Sequence, residues 1–367
     1  MSDKKILVLS SRDIFSPGGE RNLMENKSLG LRALGWDVAY VSLRLRGEGV
    51  LQNDLKYRIV INKTFSWGVL NIKSIVNVIN REKPDVIQFS GLWTYLFYNV
   101  IINRLELNNV TVSMDYQGAL DELYEFSSKG SLFFRKILFK FFSHFEKIVY
   151  KNVDVIEVVS LNCKEHLYCQ YGITDAKFAV VPCNLNSTLS KEQYLTRREY
   201  WRSKFNYFDR DVVAVYSGGV SSWQCIDDVI LYFNRSNVKG MIFTSKENHS
   251  SIKQRLSNKN VIVDCLSPKV LADALTAFDF GLLPRDNKIT NYVAYPNKFA
   301  EYYNARLTIL LKSTEIGFYE GFERFCKINA FESLDCPHRV SIDEYKPDMV
   351  NLSNSIDMLD DLYLSFK

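Results

Sequence analysis

Several residue types and patterns are scarce in this chain, and each shortage removes a class of protein. Its 367 residues include four histidines, eight prolines and five tryptophans. The seven cysteines, Cys163, Cys169, Cys183, Cys225, Cys265, Cys326 and Cys336, are odd in number and never form C-x-x-C. That argues against a disulfide framework or a zinc site and fits free thiols in a reducing compartment. No run reaches the roughly 18 apolar residues that a membrane span needs. The first apolar run, Ile6-Leu7-Val8-Leu9, is too short for a signal peptide, so the expected location is cytoplasmic. A strong excess of either charge is also missing: 46 Lys and Arg face 42 Asp and Glu, leaving +4. Nucleic-acid binders usually show a clustered basic stripe, so nucleic acid is not an expected partner. A mildly basic protein still suits phosphate-bearing substrates or anionic lipid. Finally, G-x-G-x-x-G does not follow the first strand, which removes the main sign of a dinucleotide-dependent oxidoreductase.

What remains is apolar and aromatic. Hydrophobic residues make up 47% and aromatics 14%, with 21 Tyr and 24 Phe. That is enough for two cores, and the length also points to two domains. Short apolar runs alternate with amphipathic segments. Strands are expected at Lys5–Leu9, Trp36–Ser42, Val86–Phe89, Val110–Met114, Val155–Val159 and Phe178–Val181. Helices are expected at Glu20–Leu34, Ile72–Arg81 and Leu132–Tyr150. The pattern restarts with strands at Val212–Tyr216, Met241–Thr244, Val261–Val263, Phe280–Leu283 and Thr308–Leu311. Helices between them fall near Ile226–Phe233, Lys269–Ala277 and Asn297–Asn304. Buried strands separated by helices read as two α/β, Rossmann-like units with parallel sheets. The expected boundaries are 1–188, a polar linker with a helix at 189–210, a second domain at 211–345, and a final helical segment at 346–367. Ligands in such sheets bind beyond the carboxyl ends of the strands.

Three segments carry chemistry there. Ser16-Pro17-Gly18-Gly19-Glu20 follows the first strand and opens a helix. It reads either as a backbone approach to a ligand or as an ordinary turn. Val215-Tyr216-Ser217-Gly218-Gly219, then Ser221-Ser222-Trp223-Gln224, is a strand, a glycine turn and a helix start that suit a diphosphate. The third is Leu283-Pro284-Arg285-Asp286, followed by Pro296-Asn297-Lys298-Phe299-Ala300-Glu301-Tyr302. Here a strand end supplies Arg285, and a helix N-terminus supplies Asn297, Lys298 and free N–H groups, a strong anion site. Glu301, one turn on, is placed to accept hydrogen bonds from ribose hydroxyls. Phosphate donors beside a ribose acceptor imply a nucleotide.

These segments resemble a family 4-type glycosyltransferase of the GT-B fold, of the bacterial kind that builds surface polysaccharide or lipopolysaccharide. Val159-Ser160, His166-Leu167, Tyr171-Gly172-Ile173 and Val181-Pro182-Cys183-Asn184 resemble the end of that family's first domain. The resemblance implies two Rossmann-like domains with parallel sheets facing a central cleft, and a last helix that crosses back to the first domain. It implies transfer of a sugar from a nucleotide-diphosphate sugar to a glycan or lipid-linked acceptor, with retention and without a metal or other cofactor. The donor would be held by Gly18, Gly19, Gly218, Gly219, Arg285, Asn297, Lys298 and Glu301. Arg285 and Lys298 would also act in catalysis by stabilising the leaving diphosphate. Three places depart from the pattern. Val293 stands where the first acid of an E-x7-E pair is usual. Trp223-Gln224 stands near the usual basic residue, and Ala305-Arg306 stands at the usual glycine. These departures keep two other readings alive, a non-catalytic GT-B scaffold and a nucleotide-sugar epimerase.

On the first domain, Trp93, Asp115, Tyr116, Gln117 and Glu122 are acceptor-side candidates. Asp115 either assists catalysis by orienting acceptor or sugar, or caps the following turn. In Leu132–Lys151, Phe134, Ile137, Leu138, Phe141, Phe142, Phe145, Ile148 and Val149 share one helical face, expected to be core. The other face carries Phe133, Lys136, Phe139, Lys140 and Lys147. It reads either as a solvated face or as a peripheral contact with an anionic membrane.

Overall fold

The computed structural model describes residues 4–10, 19–42, 58–61, 72–106, 109–126, 132–174, 178–236, 238–312, 321–333 and 339–366. They form two compact units, residues 1–186 with 352–367 and residues 187–351.

Unit 1 runs β1 (Lys4–Ser10), α1 (Gly19–Ala33), β2 (Trp36–Ser42), β3 (Arg58–Ile61), α2 (Ile72–Glu82), β4 (Val86–Ser90), α3 (Leu92–Ile102) and β5 (Thr111–Tyr116). It continues with α4 (Glu122–Glu125), α5 (Leu132–Asn152), β6 (Val155–Val158), α6 (Leu161–Tyr171) and β7 (Phe178–Val180). The described strands form one parallel sheet in the order β3-β2-β1-β4-β5-β6-β7. β4, β5 and β6 are buried at every residue, their polar Gln88, Ser113, Asp115 and Glu157 included. The strand order reverses between β1 and β4.

Unit 2 runs α7 (Lys191–Lys204), β8 (Val213–Ser217), α8 (Ile226–Ser236), β9 (Lys239–Phe243), α9 (His249–Arg255), β10 (Val261–Asp264) and α10 (Pro268–Ala274). It continues with β11 (Phe280–Leu283), α11 (Ile289–Val293), α12 (Asn297–Asn304), β12 (Thr308–Leu311), β13 (Cys326–Lys327) and α13 (Ala330–Ser333). Its parallel sheet has the order β10-β9-β8-β11-β12-β13, and the reversal falls between β8 and β11. The α/β class and the paired parallel sheets are those expected.

The stretch at 189–210 lies in unit 2. Its helix α7 opens with a capping box between Ser190 and Gln193. Arg198 ties it to the sheet through Asp279 (2.6 Å) and the Phe278 carbonyl (2.8 Å), and Arg202 donates to the Ala277 carbonyl (2.9 Å).

The last helix, α14 (Ser353–Ser365), packs in unit 1. Ile356, Leu359 and Tyr363 join the core that holds Ile6, Val8, Leu31 and Tyr40. A β-carbon on Gly30 would lie 2.8 Å from Ile356 Cγ1. A larger residue there would overpack the α1–α14 contact, at a cost of about 1–3 kcal/mol. Trp36 Nε1 donates to Asp360 (2.7 Å), and the Tyr363 hydroxyl donates to Glu157 (2.5 Å).

Candidate functional site

The site in unit 2 gathers where its sheet order reverses. β8 is buried throughout and ends at Ser217. Gly218 then takes φ 141°, a backbone conformation that favours glycine. The Tyr216 hydroxyl braces the turn by donating toward the Gly219 carbonyl (2.7 Å) and Gln224 Oε1 (2.9 Å). β11 ends at Leu283 and delivers Arg285, which is 8% exposed. Its guanidinium donates to the Trp223 carbonyl (3.1 Å) and Asn291 Oδ1 (3.2 Å), while its buried Nε has no partner.

Helix α12 starts immediately after Pro296, which occupies the N-cap. Tyr302 clamps the helix to β8, since its hydroxyl accepts from the Ser217 N–H (2.9 Å) and lies 3.2 Å from Ser217 Oγ. A β-carbon on Gly281 would lie 2.4 Å from the Tyr302 ring, so Gly281 makes room for the clamp. The clamp aims Lys298 at the glycine turn. Lys298 Nζ donates to Gln224 Oε1 (2.7 Å) and lies 4.1 Å from the Tyr216 ring centroid. A β-carbon on Gly218 would sit 2.2 Å from Lys298 Nζ. The close approach that requires a glycine here is therefore made by the lysine.

Burial holds the Arg285 guanidinium below its ordinary range. It also pulls the Lys298 ammonium well down, with the Arg285 charge adding to the effect. Burial pushes the Glu301 carboxyl up, opposed by Lys298. Asn297 opens the same helix. Val293 is fully buried at the end of α11, so its position serves packing. Arg306, at the usual glycine, takes φ 56° and is 4% exposed. It holds that conformation by donating to the Ile342 carbonyl (2.5 Å) and lying over the Tyr194 ring (5.2 Å).

Cys225, Asp228 and Asp286 bring ligand atoms within 4.8 Å of one another. The Lys312 ammonium already pairs with Asp228 (2.9 Å) and Asp286 (2.6 Å), so one of the cluster's two negative charges is offset.

In unit 1 the candidates separate. Gly18 lies outside the described residues, and Gly19 is the first residue of α1. Trp93 lies in the first turn of α3. Asp115 is only 5% exposed, and its carboxylate faces Lys27 Nζ (3.5 Å), Ser90 Oγ (3.3 Å) and Gln117 Nε2 (2.6 Å). Lys27 also pairs with Glu157 (2.7 Å). Glu157 in turn accepts from Ser113 (2.6 Å), Tyr363 (2.5 Å) and Gln88. Burial alone would lower the Lys27 ammonium, but the two carboxylates hold it above its ordinary range. The placement of Asp115 is thus a buried ionic one. Tyr116 is 1% exposed and packs edge-on against Tyr150 at 5.6 Å, so its side chain is a core group rather than a surface contact. Gln117 is half-buried, and Glu122 is exposed in the first turn of α4.

The face expected to be core in α5 is corrected. Phe142 and Val149 are buried, but Phe134 is 56%, Ile137 47% and Phe141 49% exposed. The buried line is instead Phe142, Glu146, Val149 and Tyr150. Glu146 turns inward because the Tyr171 hydroxyl donates to it at 2.5 Å, and burial raises its carboxyl to about 8, so it is mostly neutral at pH 7. Apolar periodicity cannot register a glutamic acid that buries itself. Of the basic-face candidates, Phe133 is 75% exposed and Lys136, Lys140 and Lys147 are exposed. Phe139 is half-buried against the Tyr124 ring at 5.2 Å.

Comparison with known proteins adds to this geometry. Residues 17–187 match the model of Glycosyltransferase Family 4. Similar folds include WaaG, a glycosyltransferase involved in lipopolysaccharide biosynthesis. It is 12% identical, with TM-score 0.60, over 98% of this chain and 92% of that one. This chain's match to the family over residues 17–187 and its shared fold support a family 4-like glycosyltransferase. Its fold is the GT-B fold. Anabaena HepE, solved in complex with UDP and glucose, is 10% identical over 99% of this chain and 97% of that one, with TM-score 0.60. A trehalose-6-phosphate protein from E. coli, bound with UDP-2-fluoro glucose, is 11% identical over 98% and 99%, with TM-score 0.63. No curated protein matches the chain. No helix among the described residues is long and apolar enough to cross a membrane.

Proposed function

We propose that the enzyme takes its sugar from a nucleotide-diphosphate sugar held by unit 2. One observation carries the reading. Two basic side chains, Arg285 and Lys298, converge on the turn after β8 with no carboxylate at ion-pair distance among the described residues, and Arg285 keeps a buried N–H unsatisfied. A buried donor without a partner is costly, and a diphosphate would satisfy it. In this reading Arg285 and Lys298 grip the diphosphate, and Glu301 accepts from the ribose hydroxyls. HepE, solved in complex with UDP and glucose, and the E. coli protein, bound with UDP-2-fluoro glucose, support the nucleotide class. The two cations stabilise the leaving group, and its oxygen takes the acceptor's proton on the same face, giving retention without a metal.

The acceptor is a glycan or lipid-linked sugar of bacterial surface polysaccharide assembly, reached at an anionic membrane. Supporting this, α5 exposes Phe133, Ile137 and Phe141 beside Lys136, Lys140 and Lys147, and its one acid, Glu146, is buried. An apolar stripe next to a cationic one suits the interface of an anionic bilayer.

The test is thermal unfolding with UDP, GDP, dTDP, ADP and CMP on the wild type and on Glu301→Ala. A ligand at about 100 times its Kd stabilises by about 2.7 kcal/mol. One diphosphate should stabilise the wild type, with the shift reduced in the variant. No shift with any nucleotide would sink the donor assignment and favour a scaffold role.

A further inference from the structure

Arg285 and Lys298 reach one short turn from two different elements. Arg285 leaves the end of β11 and donates to the Trp223 carbonyl, while Lys298 leaves α12 and donates to the neighbouring Gln224 side chain. Both contacts are to neutral oxygens. The groups that face Lys298 are Arg285 beyond β11, Tyr216 on β8, Cys225 at the start of α8, and Glu301 one turn along its own helix. Only Glu301 brings a carboxyl, and it makes no ion pair with Lys298 among the described residues.

Arg285 is buried and Lys298 half-buried at the same turn, and two like charges brought together there repel, with loss of a proton the cheapest relief. Guanidinium does not give one up, whereas a lysine ammonium does so readily. The glycine at 218 lets Nζ sit close against the turn, where a β-carbon would lie 2.2 Å from it.

We infer that the donor site is proton-linked: Lys298 stands as the neutral amine in the empty site, and the incoming diphosphate draws one proton from solution onto Nζ. This rests on the diphosphate reading of the site and adds a property to it. Burial and the Arg285 charge, which both lower the Lys298 ammonium, point the same way. Glu301 is the rival seat, because burial raises its carboxyl. Tyr216 and Cys225 are both held in their neutral forms, Cys225 with its thiol up at about 11, and gain nothing from an anion. Binding that takes up a proton weakens as pH rises, by up to about tenfold per unit, between the amine's empty-site and ligand-bound titrations. A site of this kind favours the full negative charge of a diphosphate, because only that charge repays protonation beside Arg285.

Isothermal titration of the whole chain with UDP, GDP and ADP at pH 8, where these ligands no longer titrate, reads the uptake directly. It is run in phosphate and in Tris, whose ionisation enthalpies differ widely. The expected result is a buffer-dependent binding enthalpy equal to about half to one proton taken up. In Lys298→Arg, which keeps length and charge, the buffer dependence should vanish while binding persists. Glu301→Gln should keep it. Binding by the wild type with no buffer dependence overturns the inference and leaves the diphosphate site standing. Uptake that survives Lys298→Arg and disappears in Glu301→Gln also overturns it and moves the proton to the glutamate. Absence of binding by every diphosphate removes the site itself, and the inference with it.

Discussion

Lys27 in unit 1 and Arg285 in unit 2 are both cations almost shut away from solvent, at 2% and 8% exposure. Their surroundings differ in one respect. Lys27 meets two carboxylates, and those carboxylates are satisfied by Ser90, Gln117, Ser113 and Tyr363. Arg285 meets carbonyl oxygens and the Lys298 side chain, and retains an unmatched N–H. A cluster of opposite charges holds its own fold together, because removing its one cation strands the acids. A pair of basic groups without an acid leaves room for a charge that arrives from outside. Asp115, for all its position at the end of β5, is tied into a buried ionic cluster, whereas Arg285 is the group to which the proposed donor reading brings a ligand.

The comparison can be broken most sharply at Lys27. Lys27→Met leaves Asp115 and Glu157 buried without their cation, and should cost about 3–5 kcal/mol in urea unfolding. A loss below about 1 kcal/mol would mean that the cluster is less dry than its geometry shows. Next comes Glu146, a buried acid with no cation at ion-pair distance among the described residues. Its carboxyl is raised to about 8 in the fold, so the native state holds a proton that the unfolded chain releases near 4.5. Its contribution is therefore present below about pH 4.5 and is lost as pH rises to about 8, an effect of order a few kcal/mol. Glu146→Gln should match the wild type at pH 5 and exceed it in stability at pH 8, as followed by denaturation at both values. The smallest effect on stability is expected on the outer surface of α5. Phe133→Ser should change unfolding by less than about 0.5 kcal/mol. It should nevertheless weaken sedimentation with vesicles containing anionic lipid. Unchanged vesicle binding would return that surface to ordinary solvent exposure.

What could be read from the sequence follows the same division. Trp36–Ser42, Phe280–Leu283, Thr308–Leu311 and Asn297–Asn304 are strands and a helix with the bounds expected, because each is a clean local pattern between breakers. α3 was not foreseen: Leu-Trp-Thr-Tyr-Leu-Phe-Tyr-Asn-Val-Ile-Ile is apolar nearly all round, so it has no 3.6-residue contrast to detect. β13 has two residues and leaves no pattern. Arg285, Lys298 and Glu301 were legible because a strand end and a proline-started helix announce themselves locally. The Tyr302 clamp, the Gln224 contact and the Lys27 triad were not, because each joins residues far apart in the chain. Gly218 was read as space for a ligand, but the space is taken by a lysine from α12. The departure at Ala305-Arg306 finds its explanation only in the fold, where Arg306 holds the left-handed backbone through its own side chain.

The most direct test of this account is the urea stability of Arg285→Met, with and without the nucleoside diphosphate that stabilises the wild type. Without ligand the variant should stay within about 1 kcal/mol of the wild type, since no carboxylate is stranded. With ligand at about 100 times the wild-type Kd, the wild type should gain about 2.7 kcal/mol and the variant far less. A variant that loses several kcal/mol without ligand, or gains as much as the wild type with it, would contradict the claim that this buried cation is reserved for a ligand.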